Sequence, residues 1–238
     1  MIYNEFAQVY DKLMYDFPYK ENSEFLFNIL GDRQIKVLEM ATGTGNFTKI
    51  LGEKYHLHAF DISENMLSIA QNKVKNVFFF KADMINFKTL NKYDAVLCLC
   101  DSYNYLLKEE DLLSSFKCVY QALEDNGIFI FDMNTKEKFL KMDRAYVDEI
   151  DDIFYSWENY FDENKSINHY CVNFFVEEKE DLYRRFYEEH LERAYPIKKV
   201  KSLLEQVGFK SIEIYKDYKN SKQIEKADRL VYVVKKRG

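Results

Sequence analysis

The chain has little of what short, turn-rich folds depend on: two prolines and seven glycines in 238 residues. Long elements joined by few tight turns are therefore expected. Its four cysteines (Cys98, Cys100, Cys118, Cys171) share no spacing beyond one Cys-x-Cys. That argues against a disulfide scaffold and against a metal centre. Positive charge is in deficit, with 34 Lys and Arg against 40 Asp and Glu and a formal net charge of -6. A broad nucleic-acid or anionic membrane surface needs the opposite balance, so neither partner is expected. No apolar run approaches the roughly 18 residues of a membrane span. The opening MIYNEFAQVYDKLM carries acids and no apolar core, unlike a signal peptide, so a cytoplasmic protein with reduced thiols is expected. What is present, 47% hydrophobic and 31% charged residues, is the composition of a folded domain. The length suits one large α/β domain, or one domain carrying a small insertion.

Hydrophobic periodicity organises the first part of the chain. Residues 36–40 (KVLEM), 57–60 (LHAF), 77–80 (VFFF), 94–99 (DAVLCL) and 128–132 (IFIFD) read as short buried strands. Apolar residues at helical spacing fill 20–30, 64–74 and 110–123, with Ser63 as a cap and Asp125-Asn126-Gly127 as a turn. Such alternation predicts a doubly wound α/β fold with a mostly parallel sheet, completed by a helix over 197–207 and strands at 211–215 and 229–235. These bring the predicted sheet to seven strands. Between them, 152–163, 166–177 and 183–195 read as long strands rich in Tyr, Phe and Val, with turns at 162–165 and 177–181. The expected organisation is a main domain (1–140 plus 196–238) with a small antiparallel β insertion (141–195). Period-two alternation puts His190 and Arg185 on opposite faces of the last inserted strand.

The strongest chemical signal is Glu39-Met40-Ala41-Thr42-Gly43-Thr44-Gly45, at the end of the first strand. Gly43 and Gly45 leave room for close backbone approach by a ligand. Such a ligand lies at the carboxyl ends of parallel strands, where open α/β sheets bind. Asp61 ends the second strand about 20 residues on, the distance at which an acid accepts from ribose hydroxyls. Asp83 follows the third strand, where it can accept from an adenine amino group while Met84 packs on the ring. A nicotinamide cofactor fits less well. Thr48 stands where the dinucleotide fingerprint wants its third glycine, and Glu39 would repel a pyrophosphate.

The segments EMATGTG, FDISENML, KADMINF and CLCDSYNYL resemble the successive motifs of class I S-adenosylmethionine-dependent methyltransferases, which implies a Rossmann-like methyltransferase fold. AQVYDKLMYDFPY, DSYNYL and RRFYEEHLERAYP resemble a bacterial subset that includes sugar-amine N-methyltransferases with an antiparallel insertion over the site. The resemblance implies S-adenosylmethionine as cofactor, with Glu39, Asp61 and Asp83 on its amine, ribose and adenine. It further implies cofactor contacts from Ala41, Gly43, Gly45, Ile62, Met66, Met84 and Cys100. Tyr10, Tyr15 and Tyr19 are candidates for a lid over the cofactor, since aromatic faces attract a sulfonium. Ala41 and Thr42 depart from the usual Gly or Cys, but both are small.

Methyl transfer needs alignment more than acid–base machinery, so the lack of a catalytic triad is expected. Asp101 is a candidate to solvate or deprotonate an acceptor, with Asn104 and Tyr105 orienting it. In the sugar-amine enzymes a histidine base aligns near Tyr105; tyrosine, with a pKa of about 10, is a poor base at neutral pH. The inserted sheet is expected to roof an acceptor pocket, with His190, Arg185 and Tyr19 as candidate substrate contacts. His56, His58 and His169 are read as structural, and Trp157 as core or interface. The expected function is methyl transfer to N or O of a small-molecule acceptor, with a homodimer left open. The competing readings are an RNA or protein methyltransferase, which the acidic balance disfavours, and a non-catalytic cofactor-binding module.

Overall fold

A computed structural model describes residues 5–180 and 182–237; Asp181, at the end of the turn expected over 177–181, lies outside them. In chain order, helices α1 (Phe6–Leu13) and α2 (Tyr19–Leu30) precede β1 (Lys36–Met40), α3 (Asn46–Leu51), β2 (His56–Asp61), α4 (Glu64–Lys73) and β3 (Phe78–Lys81). Next come β4 (Tyr93–Cys98), a short 3-10 turn (Ser102–Tyr105), α5 (Glu109–Ala122), β5 (Leu123–Asn134) and α6 (Lys136–Lys141). Strands β6 (Ala145–Ile150), β7 (Ile153–Asp162), β8 (Ile167–Lys179) and β9 (Leu182–Arg193) then run consecutively, before α7 (Ile197–Val207), β10 (Ser211–Lys216) and β11 (Arg229–Lys235).

Seven strands form one sheet in the order β10-β11-β5-β4-β1-β2-β3. β1 to β5 are parallel, while β11 is antiparallel to both β5 and β10. The chain winds outward from β1 to β3, then returns to β4 on the other side, so the switch point falls between β1 and β4. Loops leave the carboxyl ends of those two strands in opposite directions and open a crevice there. Successive residues serve opposite layers. Leu38, Val96, Phe129, Phe131 and Tyr232 join one buried cluster, and Val37, Leu97, Ile130, Val231 and Val233 the other. Burial on both faces is why these strands read as continuous apolar runs.

The remaining strands make a separate antiparallel sheet, β6-β7-β8-β9. It has one strand more than expected. β6 escapes sequence reading because it is an edge strand of exposed residues (AYVDEI), with no buried alternate face to produce a pattern. The expected turn at Asp125-Asn126-Gly127 is also corrected. Pairing jumps from Tyr93↔Leu123 to Ala95↔Ile128, so these residues form a bulge inside β5. Helix α1 cements the two sheets. Phe6, Ala7 and Val9 pack between Met66 of α4 and Val172, Phe174 and Phe186 of the second sheet. Among the described residues, no helix is long and apolar enough to cross a membrane.

Candidate active site

A cavity of about 620 Å³ opens at the switch point, walled by the tips of β1, β2, β3 and β4, by α1, and by the second sheet. The turn after β1 is left-handed at Ala41, Gly43 and Gly45, with φ of 51°, 57° and 81°. A Cβ on Gly43 would meet nothing within 4 Å, so the backbone there faces open space. Gly45 acts differently from the expectation: it does not line the cavity. Its missing Cβ would stand 3.0 Å from the Ala70 Cβ, so this glycine lets α3 pack closely on α4. Glu39 is buried on β1 and accepts a hydrogen bond from Thr48 Oγ1 at 2.7 Å. Burial pushes its pKa up to about 8. Asp61 accepts from the Gly43 and Ser63 amides, at 2.8 Å each. Burial raises its pKa, and those amides oppose the shift. Asp83 accepts from the Ile85 amide at 3.1 Å.

These three acids share the cavity wall with Tyr10, Ala41, Gly43, Ile62, Met66, Met84 and Cys100. Tyr15 does not join them. Helix α1 ends at Leu13, and Tyr15 falls in the following turn with 73% of its surface exposed. Tyr19 does line the cavity, edge-on to Phe47 at 5.1 Å.

Across the cavity stand Asp101, Tyr105, Lys138, Trp157, Tyr170, His190, Glu192 and Arg229. Cys100 and Asp101 are both left-handed (φ 56° and 53°), which turns the chain sharply off β4 and aims the Asp101 amide at Asp132. Arg229, on β11, pairs with Asp101 at 2.9 Å and with the buried Asp132. Burial works against the Asp101 charge, yet attraction to Arg229 and Lys138 holds its pKa below the usual carboxylate range. Asp101 is thus a charge partner and a weak base, contrary to the role expected for it. Asn104 is also reassigned. Fully buried behind the wall, it donates to the carbonyls of Asn134 and Arg193 and accepts from the Asn134 amide. It pins the 3-10 turn to the ends of β5 and β9 and is not exposed to an acceptor. Arg185 faces outward on β9 and donates to Asn173, whereas His190 is turned inward beside Phe6 and Tyr105. The apolar Phe186 and Phe174 decide which face of β9 is buried, and Arg185 lies on the other. Trp157, expected in core or interface, packs against two buried clusters and also lines the cavity.

Residues 37–127 match the family model of a methyltransferase domain. The chain is 32% identical to a putative methyltransferase, YqeM, of Bacillus subtilis strain 168, over 99% of this chain and 98% of that one. The chain is a class I S-adenosylmethionine-dependent methyltransferase. Its fold superposes on the crystal structure of a S-adenosylmethionine-dependent methyltransferase from Clostridium acetobutylicum ATCC 824 with a TM-score of 0.87, at 33% identity and 99% coverage of both chains. The sugar N-methyltransferase KedS8 from Streptoalloteichus sp. ATCC 53650 shares the fold, with a TM-score of 0.81 at 18% identity, over 95% of this chain and 91% of that one.

The residues of this methyltransferase suit its cofactor, S-adenosylmethionine. A buried carboxylate at Glu39, aimed into the cavity and satisfied only by hydroxyl groups, complements an ammonium ion. A carboxylate offers about four acceptor positions, so Asp61 keeps capacity for the ribose beside its bonds from backbone amides. Met84, Ile62 and Met66 offer apolar surface beside Asp83 for a purine. The methyltransferase also has site residues that its sequence hides: Lys138, Asn134, Glu192 and Arg229. Glu192 follows the period of a strand that looks amphipathic in either direction. Arg229 reaches Asp101 across 128 residues of chain, which no local pattern encodes.

Proposed function

We propose that the methyltransferase acts on N or O of a small-molecule acceptor, held between the tip of β4 and the inner face of the second sheet. The observation that carries this reading is the single continuous cavity, lined at once by Glu39, Asp61 and Asp83 and by Trp157, Tyr170 and His190. The cofactor supplies a methyl group on a sulfonium, for in-line displacement by a nucleophile. What the protein adds is position and exclusion of water. Glu39 and Asp61 anchor the two polar ends that flank the sulfur. Tyr10 and α1 close the site from one side, and Tyr105, Trp157 and Tyr170 from the other. Such positioning is worth about 7–11 kcal/mol of a bimolecular barrier. Aromatic faces near the sulfonium add about 0.5–2 kcal/mol.

A cavity of about 620 Å³ that holds the cofactor acids together with several aromatic rings supports a small acceptor over a nucleic acid, as does the acidic balance of the chain. A cytoplasmic site of action, with neither nucleic acid nor membrane as partner, is part of the same reading. The test is release of S-adenosylhomocysteine when the protein and S-adenosylmethionine are incubated with fractionated small metabolites and, separately, with total RNA. Product in a metabolite fraction supports the reading; product with RNA alone overturns it.

A further inference from the structure

We propose that Glu192 receives a proton from the acceptor, and that the acceptor is a small organic amine presented as its ammonium ion. This rests on the methyltransferase reading above and names the substrate class of the same site. The geometry begins with Asn134. Its side-chain amide donates to Asp101 Oδ2 at 2.7 Å and to Glu192 Oε2 at 2.9 Å, so one buried NH₂ group brackets two carboxylates on the cavity wall. Its carbonyl oxygen accepts from Lys138 Nζ at 2.9 Å. Asn104 holds Asn134 by two backbone bonds, at 3.0 and 2.9 Å, which makes this pair of acids part of the rigid frame.

The groups facing Glu192 come from every element around it: Asp101 after β4, Lys138 on α6, Tyr170 on β8, His190 on β9 and Arg229 on β11. The Arg229 guanidinium is engaged by Asp101 and Asp132. Three carboxylates therefore share two cations, and an ionised Glu192 leaves the wall with one negative charge in excess. An ammonium ion completes that balance, whereas a carboxylate or phosphate would be repelled. The lining around these acids is also aromatic (Tyr105, Trp157 and Tyr170), a surface that favours cations.

Among the titratable groups here, Glu192 suits the proton best. His190 has its pKa pushed down to about 4 by burial, and Asp101 is held low by Arg229 and Lys138 against the opposing effect of burial. Burial pushes Glu192 up to about 8, with the Asp101 charge acting in the same direction, near the pH at which a base works most effectively. The step balances simply. An N–H bond of the ammonium breaks as an O–H bond forms on Glu192. The freed nitrogen lone pair makes the N–C bond, and the electrons of the C–S bond leave with sulfur. The proton on Glu192 passes to water once product departs.

The test uses the full chain saturated with S-adenosylhomocysteine and three probes of one shape and different charge: benzylamine, benzyl alcohol and benzoate. Calorimetry should show benzylamine binding at least about tenfold more tightly than either other probe. Its affinity should fall by about tenfold or more from pH 8 to pH 6, as Glu192 takes up a proton. Glu192→Gln, which keeps an acceptor for Asn134, should flatten this pH dependence, and Glu192→Asp should retain it. Benzoate binding as well as benzylamine overturns the proposal, as does no binding by any of the three, or an unchanged profile in Glu192→Gln. Retained S-adenosylhomocysteine binding in those cases leaves the methyltransferase reading intact. Failure of the wild-type protein to bind it would strike that reading instead.

Discussion

The two walls of the cavity hold their carboxylates by different means. On the cofactor side, Asp61 and Asp83 are satisfied by amides of their own or adjacent turns, and Glu39 by a hydroxyl nine residues away. On the acceptor side, Asp101, Asp132 and Glu192 depend on side chains 33 to 128 residues distant. The first arrangement comes almost free with a strand-turn-helix unit, whose amides point outward at the turn. The second exists only after β5, β9 and β11 have been brought together. The cofactor wall should therefore behave as a set of separable local contacts, and the acceptor wall as one coupled network.

The largest expected effect attacks the network at its centre. Arg229→Met leaves Asp101 and Asp132 as neighbouring buried charges and should cost about 3–5 kcal/mol in urea denaturation. A loss below about 1 kcal/mol would mean that the acceptor wall is not coupled as described. On the cofactor wall, Asp61→Ala should weaken S-adenosylhomocysteine binding about 100-fold by calorimetry, the equivalent of about 2.7 kcal/mol. The change in folding stability should be smaller than for Arg229→Met. The reverse ranking would dissolve the contrast between the two walls.

A pH series sharpens the comparison further. Glu39 has its folded pKa raised to about 8 by burial, against about 4.3 in an unfolded chain. Its contribution to stability is complete below the unfolded value and is lost as pH rises toward 8. The cofactor-free protein should thus melt at a lower temperature at about pH 8 than at about pH 6. Glu39→Gln should show a shallower decline, leaving the part due to Glu192, whose pKa is raised in the same sense. An equal slope in wild type and variant would assign the effect elsewhere. The smallest effect belongs to the outer face of the second sheet. Arg185→Ala should leave S-adenosylhomocysteine affinity within about twofold and stability within about 0.5 kcal/mol, as for an ordinary surface position.

The legibility of the fold followed the same division. Strands β1, β2, β4 and β5 stood out because both of their faces are buried, and α4 because Ser63 caps it through a bond from the Met66 amide. Strand β6 was missed for want of a buried face, and the bulge in β5 was mistaken for a turn because Asp-Asn-Gly has turn chemistry in either setting. Within the site, Tyr15 was expected in an aromatic lid with Tyr10, but helix α1 stops before reaching it. Asn104 was read as a substrate contact, although its amide is consumed by backbone partners on β5 and β9. The alternation on β9 correctly separated His190 from Arg185. It could not say which face turns inward, since both faces carry charge and aromatic rings.

The sequence by itself determined the order of elements, the parallel sheet and the three acids at its strand tips. Each depends on a periodicity or a turn spanning a few residues, and local sterics and burial enforce it wherever the chain goes. Only the tertiary structure decided which face of the inserted sheet meets the cavity, that Arg229 neutralises Asp101 and Asp132, and that Asn134 ties Asp101 to Glu192. Those outcomes depend on charges and amides buried together from distant strands. The free energy of such a cluster belongs to the assembled geometry and not to any segment that contributes to it.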